Sequence, residues 1–322
     1  MSIGRLIIAT VGTFIAVHCP AAENAGNELP SHIGKDLPEY ITGDECLFCH
    51  RRDIGQGWQV NAHQLTLRPA AAVPELTALI KKESILEPYA SQVQFILGYK
   101  TELRLLRKSQ GYGKLDLLTA HLAPVNPDEP KLQWTPAPPF QWDTQSFAQQ
   151  CAGCHTTAVD SRTQAYSATG IDCYACHGDV DLHHTSDTSL VHLSKKQPHS
   201  ARRIAETCGQ CHIRTGRSKT SGLPYPNNYV IGDSLFADFE VDLSDTALQQ
   251  SPPRERHILD NIKNALADDQ SETCLSCHNV HRASGRKHRR QAKKQDCFTC
   301  HREADMALTY SRKEKHHTLC GY

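Results

Sequence analysis

The sequence predicts a mainly α fold with long loops and one small β element, and three observations support this. The pattern Cys-x-x-Cys-His occurs six times, and cysteines three apart lie on one side of a helical turn. Apolar residues recur at intervals of three and four in residues 199–207 and 257–268, which indicates amphipathic helices. Residues 93–99, 101–107 and 114–119 have the composition of strands, and a glycine turn at residues 111–113 separates the last two.

The six copies of the pattern are the attachment signature of c-type haem. Both cysteine sulfurs can reach the vinyl groups of one porphyrin, and the histidine that follows points at the iron. Zinc sites and dithiol redox sites also use Cys-x-x-Cys pairs, but neither chemistry requires a histidine directly after the second cysteine. The sequence therefore predicts six covalently attached haem c groups, whose porphyrins form much of the core.

The predicted attachment residues are Cys46 and Cys49, Cys151 and Cys154, Cys173 and Cys176, Cys208 and Cys211, Cys274 and Cys277, and Cys297 and Cys300. The predicted iron ligands within these motifs, which we number one to six along the chain, are His50, His155, His177, His212, His278 and His301.

The N-terminus has the features of an export signal. Arg5 supplies positive charge, residues 6–17 are an apolar run, and Ala21 and Ala22 are small residues suited to cleavage. The apolar run is short for a membrane span, and no other segment is long and apolar enough to be one. We therefore expect residues 1–22 to be removed and the mature chain, without a transmembrane segment, to reside in the periplasm. Extracellular display and a lipid anchor on Cys19 are the alternatives.

Cysteine usage leaves little for disulfides. The six motifs take 12 of the 14 cysteines, Cys19 lies in the signal region, and only Cys320 remains. No disulfide is expected unless Cys320 pairs between chains. Residues 320–322 would need only Cys-His after them to form a seventh motif, so a truncated motif and a free surface cysteine both stay open.

Motif spacing divides the mature chain into two regions. Residues 23–140 hold the first haem and the β element, and residues 141–322 hold the other five haem sites. Gaps of 17 and 18 residues follow the second and fifth motifs, which leaves room for little more than a turn and a short helix. The second and third haems, and the fifth and sixth, should therefore be neighbours. A proline-rich loop at residues 124–139 is expected to lead to a helix near residues 143–150.

Charge bears on the partners of the protein. Its formal net charge is zero, and the propionates of the haems make the loaded protein acidic, so nucleic acid is not an expected partner. Seven Lys and Arg residues lie within residues 282–294. They could dock an acidic partner or bind propionates, and a solvated loop explains them equally well.

The second iron ligands should be mostly histidines. Met1 leaves with the signal, so Met306 is the one methionine available, and methionine ligation is what raises a haem potential. Twelve histidines lie outside the motifs and the signal. The favoured candidates are His63, His183 or its neighbour His184, and His281. Weaker candidates are His121, His199, His257, His288, His316 and His317.

These motifs resemble those of a known family. Cys-His-Gly at residues 176–178, residues 170–172 before the third motif, Trp58 with His63, and the run from Cys277 to His281 are similar to the exported multihaem cytochromes. That group includes cytochrome c-554, the tetrahaem electron carrier of ammonia oxidisers, and extends to hydroxylamine oxidoreductase and pentahaem nitrite reductase. The resemblance spans roughly residues 40–305. It implies closely packed, mostly bis-histidine haems in parallel-stacked and perpendicular pairs.

The chain departs from the enzymes of that group. Such nitrite reductases end their active-site motif in lysine, whereas all six motifs here end in histidine. Hydroxylamine oxidoreductase has a tyrosine cross-linked to its catalytic haem, and none of the ten tyrosines here aligns with it. We therefore expect an electron carrier that serves redox partner proteins and has no catalytic residues. The alternatives are an oxidoreductase with one five-coordinate haem acting on nitrite, hydroxylamine or tetrathionate, and a subunit of a filament or membrane complex.

Overall fold

The structure is a computed structural model that describes residues 35–37, 43, 45–98, 102–126, 129–135, 138–178, 180, 191–194 and 199–282. Five of the six motifs lie in these ranges, and the sixth lies outside them. Within the described ranges, none of the helices has the length and apolar character needed to cross a bilayer.

An antiparallel sheet of six strands dominates the N-terminal half of the described chain. Its strands are β1 (Leu67–Pro69), β2 (Phe95–Leu97), β3 (Leu103–Lys108), β4 (Leu115–Asn126), β5 (Glu129–Thr135) and β6 (Trp142–Asp143). They are ordered β1-β2-β3-β4-β5, and β6 also pairs with β4. The predicted strands around the glycine turn are confirmed, because β3 pairs with β4 from Lys108 opposite Leu115 onwards.

Most of the described part of the predicted proline-rich loop, residues 124–126 and 129–135, is in fact part of the sheet. Strand β4 continues to Asn126, which pairs with Glu129 at the start of β5. Proline cannot donate to the ladder and is tolerated at bulges and on edge strands. Here the register of β4 shifts between Pro124 and Asn126, and β5 is the last strand of the ordered path. The sheet is therefore larger than the sequence predicted, and the expectation of a mainly α fold is only partly correct.

The described chain outside this sheet contains ten short or medium-length α-helices, separated by turns and irregular segments. The α-helices are α1 (Cys46–His50), α2 (Gln56–Trp58), α3 (Pro74–Lys82), α4 (Glu87–Ala90), α5 (Ala152–His155), α6 (Tyr174–His177), α7 (Ala201–His212), α8 (Asp245–Gln250), α9 (Pro253–Ala267) and α10 (Cys274–Cys277). One π-helical turn, Arg51–Gly55, joins α1 to α2, and a second, Phe147–Cys151, precedes α5. Short 3₁₀ turns span Ala70–Ala72 and Leu235–Ala237.

The helices predicted at residues 199–207 and 257–268 correspond to α7 and α9. Ser200 caps α7, because its side chain accepts a hydrogen bond from the backbone N–H of Arg203 at 3.1 Å. The helix predicted near residues 143–150 begins later, at Phe147, because β6 occupies Trp142–Asp143.

The short gap between the second and third motifs holds a β-hairpin rather than a helix. Strands β7 (Thr156–Val159) and β8 (Tyr166–Thr169) pair antiparallel. Gly170 ends the hairpin with φ of +75°, and a Cβ there would lie 2.8 Å from the carbonyl oxygen of Gln64. A residue with a side chain would be strained at this position. A last pair of strands, β9 (Arg217–Ser218) and β10 (Phe239–Glu240), lies beyond α7.

Both faces of the large sheet are covered. Side chains alternate along its strands, so Ile96 and Leu118 join one hydrophobic cluster while Leu97 and Leu117 join another. The first cluster includes Ile80 of α3. The second includes Phe147 and Ala152, which flank the first cysteine of the second motif. The sheet therefore supports a haem motif on one face and an ordinary helix on the other. A third cluster joins α7, α8 and α9.

Replacing Leu118 by alanine should destabilise the protein by about 2–5 kcal/mol, because Leu118 is fully buried in the sheet core and its truncation leaves a cavity. Leu79→Ala on α3 is the matched control. Its side chain is 44% exposed, so a change within about 0.5 kcal/mol is expected. Urea unfolding of the haem-loaded protein, followed by circular dichroism, measures both. Equal losses would contradict this assignment of the core.

Candidate functional site

Each described motif occupies one helical turn. The first motif is α1, and the second runs from Cys151, at the end of a π-helical turn, through α5. In the third, Cys173 is the N-cap of α6, and the fourth is the C-terminal end of α7. The fifth is α10, with His278 as its C-cap. The predicted helical geometry of the attachment cysteines is thus present in all five described motifs.

The cysteines of different motifs contact one another. The thiol of Cys173 in the third motif interacts with that of Cys46 in the first, which lowers the pKa of Cys46 to about 7. The thiols of Cys211 in the fourth motif and Cys154 in the second interact in the same way. These contacts place the attachment atoms of motifs that are far apart in sequence side by side.

The fourth motif also contacts the third and the fifth. Cys208 donates a hydrogen bond to Cys274. The pKa of Cys208 is raised by that bond first and by burial second, with Cys176 of the third motif a smaller contributor. In addition, the side-chain amide of Gln210 donates to the carbonyl oxygen of Ala175 at 3.0 Å. All ten cysteines of the described motifs are free of disulfides.

Three motif histidines have a defined partner at Nδ1. His177 Nδ1 donates to the backbone carbonyl of His192 at 2.7 Å, and His50 Nδ1 donates to the carboxylate of Asp53 at 3.2 Å. His155 Nδ1 lies 2.5 Å from the hydroxyl oxygen of Thr66. A proton on Nδ1 leaves the lone pair on Nε2, which is the tautomer that a metal-bound histidine needs when Nε2 is the ligand.

Burial keeps several histidines uncharged. It lowers the pKa of His155 and of His212 to about 4, and nearby Arg214 adds to the effect at both. Burial likewise lowers the pKa of His192 to about 4. Metal ligation requires the neutral imidazole, and these three rings are neutral at pH 7.

Two candidate second ligands lie beside motif histidines. The ring of His281 is parallel to that of His177, with centroids 5.8 Å apart. The ring of His63 is nearly perpendicular to that of His212, with centroids 6.1 Å apart. Trp58 stacks on His63 at 6.4 Å and meets His281 edge-on at the same distance. Two histidines chosen by their sequence position are therefore found inside the cluster of motifs.

The segment of residues 61–66 passes between the motifs. Its His63 carbonyl accepts a hydrogen bond from Ile171 N, just before the third motif, at 3.2 Å. Thr66 meets His155 of the second motif, as described above. The first motif is joined to this segment through the helix that carries Trp58. Residues 61–66 therefore contact or adjoin three motifs.

Comparison with known proteins identifies the chemistry. A family model described as "Doubled CXXCH motif" matches residues 265–306, which include the fifth and sixth motifs. A second, described as "Cytochrome c554 and c-prime", matches residues 135–178, which include the second and third. The chain is a multihaem c-type cytochrome.

A solved structure resembles part of this cytochrome. It is titled "Undecaheme cytochrome from S-layer of Carboxydothermus ferrireducens" and has 19% sequence identity and a TM-score of 0.45. The alignment covers 83% of the present chain and 44% of the other, so the present chain spans less than half the length of that cytochrome. None of the curated proteins matches the sequence.

The described residues of the cytochrome fit haem c. Each motif offers two cysteines on one helical turn, as thioether attachment requires. The Nδ1 partners of His50 and His177 set the tautomer that suits iron ligation, and the ring of His155 is neutral at pH 7. Attachment converts the cysteines to thioethers, so their thiol contacts report which motifs are neighbours rather than a titrating site.

Other predicted residues have different outcomes. Several of them lie outside the described residues: His183, His184, His288, His316, His317, and Cys297, Cys300 and His301 of the sixth motif. The basic run after Arg282 lies outside them as well. His121 is on β4, where its Nε2 lies 3.0 Å from the Thr135 hydroxyl oxygen across the sheet. His257 lies on α9 near Asn261, and His199 Nε2 lies 2.6 Å from the Ser194 carbonyl oxygen.

Sequence reasoning missed three residues of the site. Each of them lies at hydrogen-bond distance from Nδ1 of a histidine: Thr66 from His155, Asn61 from His63, and the His192 carbonyl from His177. Thr66 lies 89 residues from His155 along the chain. His192 acts through its backbone carbonyl, which no side-chain pattern reports. Only the proximity of Asn61 to His63 in sequence gave a usable signal.

Replacing Asp53 by asparagine should raise the midpoint potential of the first haem. With His50 bound to the iron of an attached haem, the carboxylate of Asp53 would make its imidazole a stronger electron donor, and a neutral amide would do so less. Potentiometric titration of the loaded cytochrome measures the change. Asp242→Asn is the matched control, because Asp242 is also a surface carboxylate but accepts from Ser244. A similar shift in both variants would contradict the assignment.

Proposed function

We propose that this cytochrome is an exported hexahaem electron-transfer protein. In this proposal, mostly bis-histidine, low-potential haems relay electrons between redox partner proteins. The observation that carries the proposal is the continuous set of contacts among the five described motifs. The first touches the third, the third lies against the fourth, and the fourth touches the second and the fifth.

Close packing of the motifs is what relay requires. Haem, when attached, supplies the iron that gains and loses an electron, and the protein sets its position and its potential. The cysteines hold each macrocycle at a helical turn. Hydrogen bonds to Nδ1 of the motif histidines fix the orientation of the imidazoles. Because the turns contact one another, no described motif is isolated from the others.

We assign two ligand pairs on the basis of ring geometry. Two imidazoles on opposite sides of one metal have centroids roughly 6 Å apart, because each metal–nitrogen bond is about 2 Å. His177 with His281, at 5.8 Å, and His212 with His63, at 6.1 Å, have this spacing. The remaining haems would draw on other histidines, and His183 stays a candidate. The whole chain contains two methionines, Met1 and Met306. Because methionine ligation raises the potential of a haem, this scarcity supports low potentials.

The count of six and the location rest on the sequence. Residues 297–301 repeat the same pattern as the five described motifs. The charged, apolar and small residues at the N-terminus support export to the periplasm, with extracellular display or a lipid anchor as the alternatives.

Haem content tests the count. The wild-type protein should carry six haems by pyridine haemochrome assay and by mass, and the double variant Cys297→Ala, Cys300→Ala should carry five, because a haem needs its thioether anchors. Cys320→Ala is the matched control and should retain all six. Fewer than six haems in the wild-type protein would contradict the proposal.

A redox titration with parallel electron paramagnetic resonance tests the carrier function. All haems should be low-spin in the ferric state, because each iron would have two protein ligands, and most should titrate at low potential, because most of those ligands would be imidazoles. Nitrite, hydroxylamine and tetrathionate should not turn over. A high-spin ferric signal together with turnover of one of these compounds would favour the alternative, an oxidoreductase with a five-coordinate haem.

A further inference from the structure

Asn61 is a buried amide at the centre of the cluster. Only 2% of its surface is exposed. Its Nδ2 donates hydrogen bonds to the carbonyl oxygens of Val280 at 2.7 Å and Arg282 at 2.5 Å. Its Oδ1 accepts from the backbone N–H of His63 at 2.9 Å and lies 3.1 Å from His63 Nδ1. One side chain therefore joins residues that are more than two hundred positions apart.

The chemistry of its partners fixes the orientation of this amide. Backbone carbonyl oxygens only accept hydrogen bonds, so the amide NH₂ must face Val280 and Arg282. A backbone N–H only donates, so Oδ1 must face His63. Oδ1 can then also accept from Nδ1 of the His63 ring, which selects the tautomer with the lone pair on Nε2.

Both contacts of the amide act on a candidate ligand. On one side, Asn61 orients His63 through its backbone and its ring. On the other, it binds the carbonyls immediately before and after His281 and so fixes the backbone that carries that ring. The backbone of residues 281–282 also packs closely against Gly57, where a Cβ would lie 2.5 Å from the His281 carbonyl oxygen. The helix of Trp58 and the segment of residues 280–282 are thus in close contact.

We propose that Asn61 is a positioning residue that holds two iron ligands, His63 and His281, through opposite ends of one buried amide. The inference rests on the ligand pairs assigned under the proposed function. It deepens that proposal by making two haems depend on one residue that contacts neither iron.

Two substitutions in the loaded, full-length cytochrome test this. Asn61→Leu removes every hydrogen bond of the side chain. It should convert two low-spin haems to high-spin haems in the ferric electron paramagnetic resonance spectrum, with haem content unchanged. Asn61→Asp keeps an oxygen towards His63 but replaces the NH₂ group that binds Val280 and Arg282. It should convert one haem, the one that loses His281, and leave the haem of His63 low-spin. If Asn61→Leu does not accumulate with its haems, Asn61→Asp decides the question.

Three reference variants separate the possible failures. His63→Ala and His281→Ala should each convert one haem to high-spin, and the signal of Asn61→Asp should match that of His281→Ala. Asn228→Asp is the matched control. Asn228 is also buried, but its amide donates to Lys35 and accepts from Ser161, so the spectrum should not change. A wild-type spectrum for both Asn61 variants would overturn the positioning role. A wild-type spectrum for both histidine variants would instead overturn the ligand pairs.

Discussion

The packing of Cys-x-x-Cys-His turns against one another is the constraint on which the rest of the molecule depends. Each turn must present two cysteines and a histidine to one macrocycle, and the fourth turn also contacts the second and the fifth through its own cysteines. Helical turns suit this role because they are compact and bring side chains three and four residues apart onto one side. Four of the five turns are α-helices of only four or five residues. Such short helices are unstable alone, so their stability must come from tertiary contacts and from the attached cofactor.

Residues 61–66 show how the cluster is held together without a long stretch of hydrocarbon core. This segment is irregular, yet its polar groups are paired with neighbours from distant parts of the chain: Asn61 with residues 280–282, His63 with Ile171, and Thr66 with His155. A buried polar group without a partner costs free energy, so each of these pairs specifies one arrangement of the chain and penalises others. The segment therefore links parts of the chain that carry different motifs.

The sheet supplies an ordinary hydrophobic core beside the cluster of motifs. From the aromatic content of 7% and the number of haems, we expected the porphyrins to form much of the interior. The described residues nevertheless form three hydrophobic clusters, two of them on opposite faces of the sheet. Because Phe147 and Ala152 belong to the cluster on one face, the second motif is anchored to a surface that forms from local hairpins.

The sequence by itself determined the class of cofactor, because the pattern of two cysteines and a histidine is local, so haem c attachment and the scarcity of methionine could be read from it and the histidine ligands predicted. The strands around the glycine turn and the helices α7 and α9 were equally readable, since periodicity reports them directly. Tertiary structure decided the rest. Proline suggested a loop at residues 124–139, but an edge position and a bulge allowed a hairpin there. The proximity of His281 to His177, and of His63 to His212, depends on contacts between residues far apart in the chain. No local pattern encodes such contacts, because they arise only when separate segments bury and pair their polar groups together.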